Sequence, residues 1–143
     1  MLVAAILARK GPDVFTIDPY ATVAAAIEEL RVHHVGALVV STDGVAVTGI
    51  VSERDVVRHL AEHGHQVLGQ PVSSVMTDNV VTCAPSDSTE QLMALVTDRR
   101  IRHVPVVEDD RLAGVVSIGD IVAARVRELE DEAQLLHDYI SAR

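Results

Sequence analysis

The stretch Gly49-Ile50-Val51-Ser52-Glu53-Arg54-Asp55 returns as Gly114-Val115-Val116-Ser117-Ile118-Gly119-Asp120, an offset of 65. Upstream, Val14-Phe15-Thr16-Ile17-Asp18-Pro19 is answered by Val80-Val81-Thr82-Cys83-Ala84-Pro85 at an offset of 66. The one-residue change falls between Val40 and Gly49, where the first copy has the longer turn. The chain is an internal repeat. A unit of this length cannot close a full core alone, so two copies should pack together and form two equivalent clefts about a local two-fold.

Around the motif, periodicity gives the elements. A short helical turn, Val3 to Ala8, precedes a strand over 14–17 that Pro19 ends. Thr22 can cap a helix with Val23, Ala26, Ile27 and Leu30 on one face. Ala37 to Val40 reads as a buried strand, Asp43-Gly44 as a hairpin turn, and Val47 to Val51 as the partner strand. Ser52 opens a second helix. Repeat two follows the same order: a strand over Val80–Cys83, Ser88 and Gln91 as a capping pair, an apolar face of Leu92, Met93, Leu95 and Val96, and a hairpin of Val104–Val107 with Leu112–Val116. The expected architecture is α/β (α+β): tandem β-α-β-β-α units with pseudo-two-fold symmetry, plus a C-terminal helix. Repeat one occupies 1–63, a breaker-rich linker 64–71, repeat two 72–126, and a helical extension 127–143. In the extension and the helix before it, Val122, Val126, Leu129, Ala133, Leu136 and Ile140 follow a 4-3 spacing. That is a coiled-coil seam too short to stay helical unpacked, so it should dock on the body or on a partner subunit.

Composition narrows the function. Hydrophobic residues make up 48% of the 143, but aromatics only 2%, so the core must be Val, Ala, Leu and Ile, which suits strands covered by helices. The net charge of −9 and the scarcity of stacking side chains argue against a nucleic-acid surface. No stretch has the length of a membrane span, and the first residues lack the basic start of a signal peptide, so cytoplasmic residence is expected. The lone Cys83 excludes an intrachain disulfide and reads as a small buried hydrophobe. His33-His34 is a poor metal site: neighbours on a helix or strand diverge, and no acidic or Cys partner has ligand spacing. Nothing resembles a nucleophile with a positioned base, so no enzyme is expected.

Two readings of Gly-h-h-Ser-x-x-Asp (h, an apolar residue) stand side by side. One is a capping box that merely starts a helix. The other is a nucleotide grip, with the helix-start amides and serine meeting a phosphate and the aspartate accepting both ribose hydroxyls. The run Arg99-Arg100-Ile101-Arg102-His103 is the dense positive patch of an acidic chain. It reads either as phosphate neutralisation, with Arg102 and His103 facing ligand, or as a solvated helix end, with Arg99 in solvent.

The two motifs, with Ile101-Arg102-His103-Val104-Pro105-Val106-Val107, resemble the cystathionine-β-synthase (CBS) domain pair, or Bateman module, over Leu2 to about Arg125. The resemblance implies a stand-alone regulatory protein whose inter-repeat clefts bind an adenosine ligand: AMP first, then ATP, ADP or NAD, with no catalytic cofactor and no metal. It gives Asp55 and Asp120 the ribose, and Ser52 and Ser117 the ribose or phosphate. Thr16, Ile17 and Asp18, and Thr82, Cys83 and Ala84, would wall the adenine, faced by Gly36, Ala37 and Leu38 and by His103, Val104 and Pro105. Arg54 offers a phosphate clamp that Gly119 does not, so unequal occupancy is expected. Arg102 joins the ligand set. The family also implies a homodimer and a regulated protein that the sequence does not name. The rival reading is an interaction module with vestigial clefts, working through its CBS helices and C-terminal helix.

Overall fold

The computed structural model describes residues 1–142. The first half runs α1 (Val3–Lys10), β1 (Thr16–Ile17), α2 (Val23–His33), β2 (Ala37–Val40), β3 (Gly49–Ser52) and α3 (Glu53–His63). Two 3-10 turns follow, His65–Gly69 in the linker and Val72–Ser74 at the start of repeat two. The second half runs α4 (Thr89–Arg99), β4 (His103–Glu108), β5 (Arg111–Ser117) and α5 (Ile118–Ser141).

Each helix start expected from its cap is present. Thr22 Oγ1 accepts from Ala25 N–H at 3.1 Å. Ser88 Oγ accepts from Gln91 N–H, and Gln91 Oε1 accepts from Ser88 N–H at 2.7 Å, which closes a capping box. The ends are matched too. His34 and Arg100, equivalent residues, both take the left-handed conformation with φ of 53° and 54°, stopping α2 and α4 at the same point.

The strands differ from expectation in three places. The strand over Val80–Cys83 is reduced to one parallel bridge between Cys83 and Val106. Cys83 N–H donates to Pro105 O and Val107 N–H to Cys83 O; beyond it Pro85, with no N–H, cannot extend the ladder. Its counterpart β1 is only Thr16 and Ile17, paired in parallel with Val39 and Val40. The Asp43-Gly44 turn opens a longer loop, because Asp43 Oδ1 accepts from Val45 and Ala46 N–H, and β3 starts at Gly49 rather than Val47. The tight hairpin belongs to repeat two. There Asp109 and Asp110 both have positive φ, the twist that a two-residue connection requires, and Glu108 pairs with Arg111 across them.

Two cores form, and the chain crosses between them. Ile17, Val23, Leu30, Leu38 and Val51 pack with Val67 of the linker and with Val72 and Val75 at the start of repeat two. Cys83, Leu92, Val96, Val104, Val116 and Ile121 pack with Val3 and Ile6 of α1. The opening helix, continuous in sequence with repeat one, thus lies in the core of repeat two. Val3 N–H donates to Asp87 O and Thr89 N–H to Met1 O; reciprocally, Val72 N–H donates to Ala21 O and Val23 N–H to Gln70 O. Burying Val3 and Ile6 contributes about 1.5–3 kcal/mol each, so this exchange helps to hold the halves together. Among the described residues no helix is long and apolar enough to cross a membrane. Helix α5 runs on from repeat two into the extension, and every residue from 129 to 142 is exposed. Glu128 bonds Thr89 and the N-terminal ammonium, but beyond it residues 129–142 do not dock on the body of their own chain.

Candidate functional site

Both Ser-x-x-Asp motifs are capping boxes. Asp55 Oδ2 accepts from Ser52 N–H at 2.9 Å and from Ser52 Oγ at 3.0 Å, while Ser52 Oγ accepts from Asp55 N–H. Asp120 Oδ2 accepts from Ser117 N–H at 2.9 Å, and Ser117 Oγ accepts from Asp120 N–H. Each box uses Oδ2. Neither Oδ1 has a hydrogen-bond partner among the described residues, so capping leaves one carboxylate oxygen of each motif for another task.

The surroundings of the two boxes differ. At the first, α3 and the segment entering β4 frame a cavity of about 220 Å³. Repeat one supplies Gly36, Ile50, Ser52, Glu53, Arg54, Asp55 and Arg58; repeat two supplies Thr77, Asn79, Val80, Val81 and the run Arg100 to His103. Arg54 and Arg58 are one turn apart on α3, and the left-handed turn at Arg100 swings the chain so that Arg100 and Arg102 meet them. Four of the chain's 12 Lys and Arg residues line this one cleft. Among the described residues none of these guanidiniums has an ion-pair or hydrogen-bond partner.

The two-fold counterparts of Arg54, Arg58, Arg100 and Arg102 are Gly119, Ala123, His34 and Gly36. The second motif therefore has no arginine at the equivalent positions. Instead Lys10, in a segment with no equivalent before Val80, donates to Asp120 Oδ2 at 2.8 Å and to Val115 O at 2.7 Å. Burial opposes charge on Asp120, but the Lys10 and Ser117 hydrogen bonds outweigh it and hold the carboxyl below its ordinary pKa. His103 stands between the motifs. Burial, then the Lys10 charge, push its imidazole below the ordinary histidine value against the pull of Glu53 and Asp120. A β-carbon on Gly36 would lie 3.1 Å from its Nε2, so a larger residue there would press on the His103 ring where the halves approach.

Six residues expected from sequence border the first cleft: Gly36, Ser52, Arg54, Asp55, Arg102 and His103. Ser117 and Asp120 lie at the Lys10 contact. The other expected wall residues do not border the cavity. Ile17, Ala37, Leu38, Cys83 and Val104 are buried in the cores or strands, as is Pro105. Thr16 and Ala84 are half-buried, Thr82 is exposed, and Asp18 accepts from Tyr20 N–H. The wall comes from Val80 and Val81, two residues earlier, because the Cys83 bridge turns that side chain into the core. Burial, then the nearby Asp87 charge, push the Cys83 thiol up to about 12, which leaves it unreactive. Arg58 was legible at i+4 from Arg54. Asn79 and Thr77 carry no such signal. One histidine reading is corrected: Glu29, one turn before His33, does bond its Nε2 at 2.9 Å. Phe15 stacks on the same ring, so His33 is held in a structural contact.

Residues 3–62 and 72–127 each match the CBS domain family. The chain is a CBS-domain pair. It is similar to the CBS-domain containing protein ATU1752 from Agrobacterium tumefaciens, 48% identical with a TM-score of 0.84 over 87% of this chain and 99% of that one. It is 41% identical over 123 residues, 83% of its length, to the mitochondrial CBS domain-containing protein CBSX3 of Arabidopsis thaliana, of which it spans 60%. The CBS pair of protein MJ0100 shares the fold, with a TM-score of 0.77 at 24% identity over 87% of this chain and 98% of that one.

Proposed function

We propose that this CBS pair is a regulatory module that binds one adenine nucleotide in its first cleft and has no catalysis of its own. The observation that carries the reading is the set of four unpaired guanidiniums, Arg54, Arg58, Arg100 and Arg102, facing one cavity in a chain of net charge −9. Planar guanidiniums clamp phosphate oxygens. In this reading Asp55 accepts from ribose through Oδ1, which the cap does not use, with Ser52 beside it, and Val80, Val81 and Ile101 offer apolar surface to a base. AMP satisfies this set; ADP, ATP and NAD use more of the arginines. The MJ0100 pair was crystallised with 5′-methylthioadenosine and S-adenosylmethionine, which supports the capacity of the fold for adenosyl groups. A cationic sulfonium is poorly matched to an arginine-rich cleft. Ligand that bridges the repeats would act by favouring one arrangement of the pair toward a regulated protein. A cytoplasmic setting is expected, although the plant relative is mitochondrial.

Thermal denaturation and calorimetry test this. Nucleotide at 100 times its Kd adds about 2.7 kcal/mol, several degrees of Tm for a chain of this size. AMP, ADP, ATP or NAD should give that shift with one equivalent bound, GMP and S-adenosylmethionine far less. Equal shifts from adenine and guanine nucleotides would contradict the adenine assignment. No shift with any at millimolar concentration favours the second reading, an interaction module, for which the exposed apolar stripe of α5 speaks.

A further inference from the structure

At the far end of α3 from the nucleotide cleft, His59-Leu60-Ala61-Glu62-His63 places two imidazoles one turn apart with a carboxylate between them. One ligand atom from each of His59, Glu62 and His63 lies within 4.8 Å of the others. The His59 and His63 rings have centroids 6.0 Å apart, and His63 Nε2 is 3.8 Å from Glu62 Oε2. Ligand atoms on one tetrahedral Zn²⁺ stand about 3.4 Å apart, given Zn–N and Zn–O distances of about 2.1 Å. Small side-chain rotations close the difference.

Three further observations bear on a cation. Glu62 and His63 sit in the last turn of α3, next to the Gly64 cap, where the helix dipole presents its negative end, and His59 lies one turn before His63. No lysine or arginine neutralises Glu62 among the described residues; its one ion-pair partner is His63 itself. His59 and His63 line a pocket together with Gln66, Gln70, Ser74 and two valines, and neither Gln side chain has a hydrogen-bond partner among the described residues. These amides can complete the coordination directly or through water. The group is the only one of its kind among the described residues.

We infer that His59, Glu62 and His63 form a binding site for a divalent first-row transition ion, Zn²⁺ by donor preference. Two imidazoles and one carboxylate suit Zn²⁺, Co²⁺ or Ni²⁺ and not the all-oxygen ions Mg²⁺ and Ca²⁺. Three protein ligands leave a position open toward the pocket. The site is independent of the nucleotide reading, since none of its ligands borders the first cleft.

The test is titration of tag-free protein with Zn²⁺ alone by calorimetry, with Co²⁺ absorption reporting coordination. One equivalent should bind, and Co²⁺ should show the d–d bands of a four- or five-coordinate nitrogen and oxygen site. His59→Ala and His63→Ala should each weaken Zn²⁺ at least tenfold, and the double variant should abolish binding. Glu62→Gln should weaken it while retaining the two imidazoles, and His65→Ala should change nothing. All three side chains lie toward the surface, and circular dichroism checks that each variant folds. Absence of binding at millimolar Zn²⁺, or binding that survives the double variant, overturns the assignment.

Discussion

Asp55 and Asp120 occupy the same place in the same motif and have different neighbours. Both cap a helix through Oδ2, so Asp→Asn, which keeps an accepting oxygen, should change stability by no more than about 1 kcal/mol. Affinity should separate them. Asp55→Asn removes a charged acceptor beside four arginines and should weaken nucleotide at least tenfold, about 1.4 kcal/mol; Asp120→Asn should leave the first cleft's affinity unchanged. Calorimetry on the two variants decides. If Asp55→Asn binds normally, the box is a cap and nothing more. Lys10 gives a second test. Its pair with Asp120 is partly exposed, 36% and 26%, so Lys10→Met should cost only about 0.2–1 kcal/mol. Because the folded Asp120 pKa is depressed, that contribution is complete above the ordinary value of 3.8 and is lost as pH falls through the lower, folded one. Chemical denaturation of wild type and Lys10→Met should therefore differ by a constant amount from pH 8 to 5 and converge in more acidic solution. A difference that grows with acidity would exclude the pair as its source. The motifs were legible because duplication printed them twice. Lys10 was not: no basic residue answers to it in repeat two, and no periodicity connects it to a residue 110 positions on.

Among the elements, the motif glycines show how the same substitution can have two costs. Gly49 and Gly114 each stand where another segment crosses a strand. A β-carbon on Gly49 would lie 2.9 Å from Thr77 O and 2.6 Å from Met76 Sδ. Thr77 O is the acceptor of the Ile50 N–H bond that ties the chain after the linker to β3, so backbone would have to move. A β-carbon on Gly114 meets only the Leu7 side chain, whose tip can rotate. Gly49→Ala should cost about 1–3 kcal/mol by overpacking, and Gly114→Ala less than about 1. Urea denaturation measures both; equal costs would mean that the backbone at Thr77 yields as readily as a leucine tip. These crossings also mark where sequence reading stopped. Element types followed from caps and apolar spacing, but the exchange of α1 and the linker between cores did not. Both repeats present similar Val and Leu faces, so pattern alone cannot say which one Val3 and Ile6 cover. The residues that the resemblance assigns to an adenine wall miss the cavity for a related reason: the single bridge at Cys83 fixes the register there and turns that side chain into the core.

At the scale of the molecule, apolar surface is exposed symmetrically. Val57 on α3 and its counterpart Val122 on α5 are 65% and 47% exposed, and Val126 continues the same face. Leu129, Leu136 and Ile140 prolong it along an extension with no body to rest on. An isolated helical segment of that length is marginal in water, and a contiguous apolar strip of this kind marks an interface. A second copy of the chain brings the same two helices and the same seam, so a two-fold contact covers both at once. We predict a homodimer built on α3 and α5, with the extension packed across it. Deleting 128–143 removes the seam beyond Val126 and leaves the arginine cleft untouched, while removing Glu128 also breaks its contacts to Thr89 and Arg125. The truncated protein should bind nucleotide as the full chain does, yet dissociate at a concentration at least tenfold higher. Sedimentation velocity across a micromolar series measures this. A full-length monomer at tens of micromolar would refute the dimer. A truncated protein that dissociates no more readily would keep the dimer on the Val57 and Val122 faces and leave the extension for a different partner.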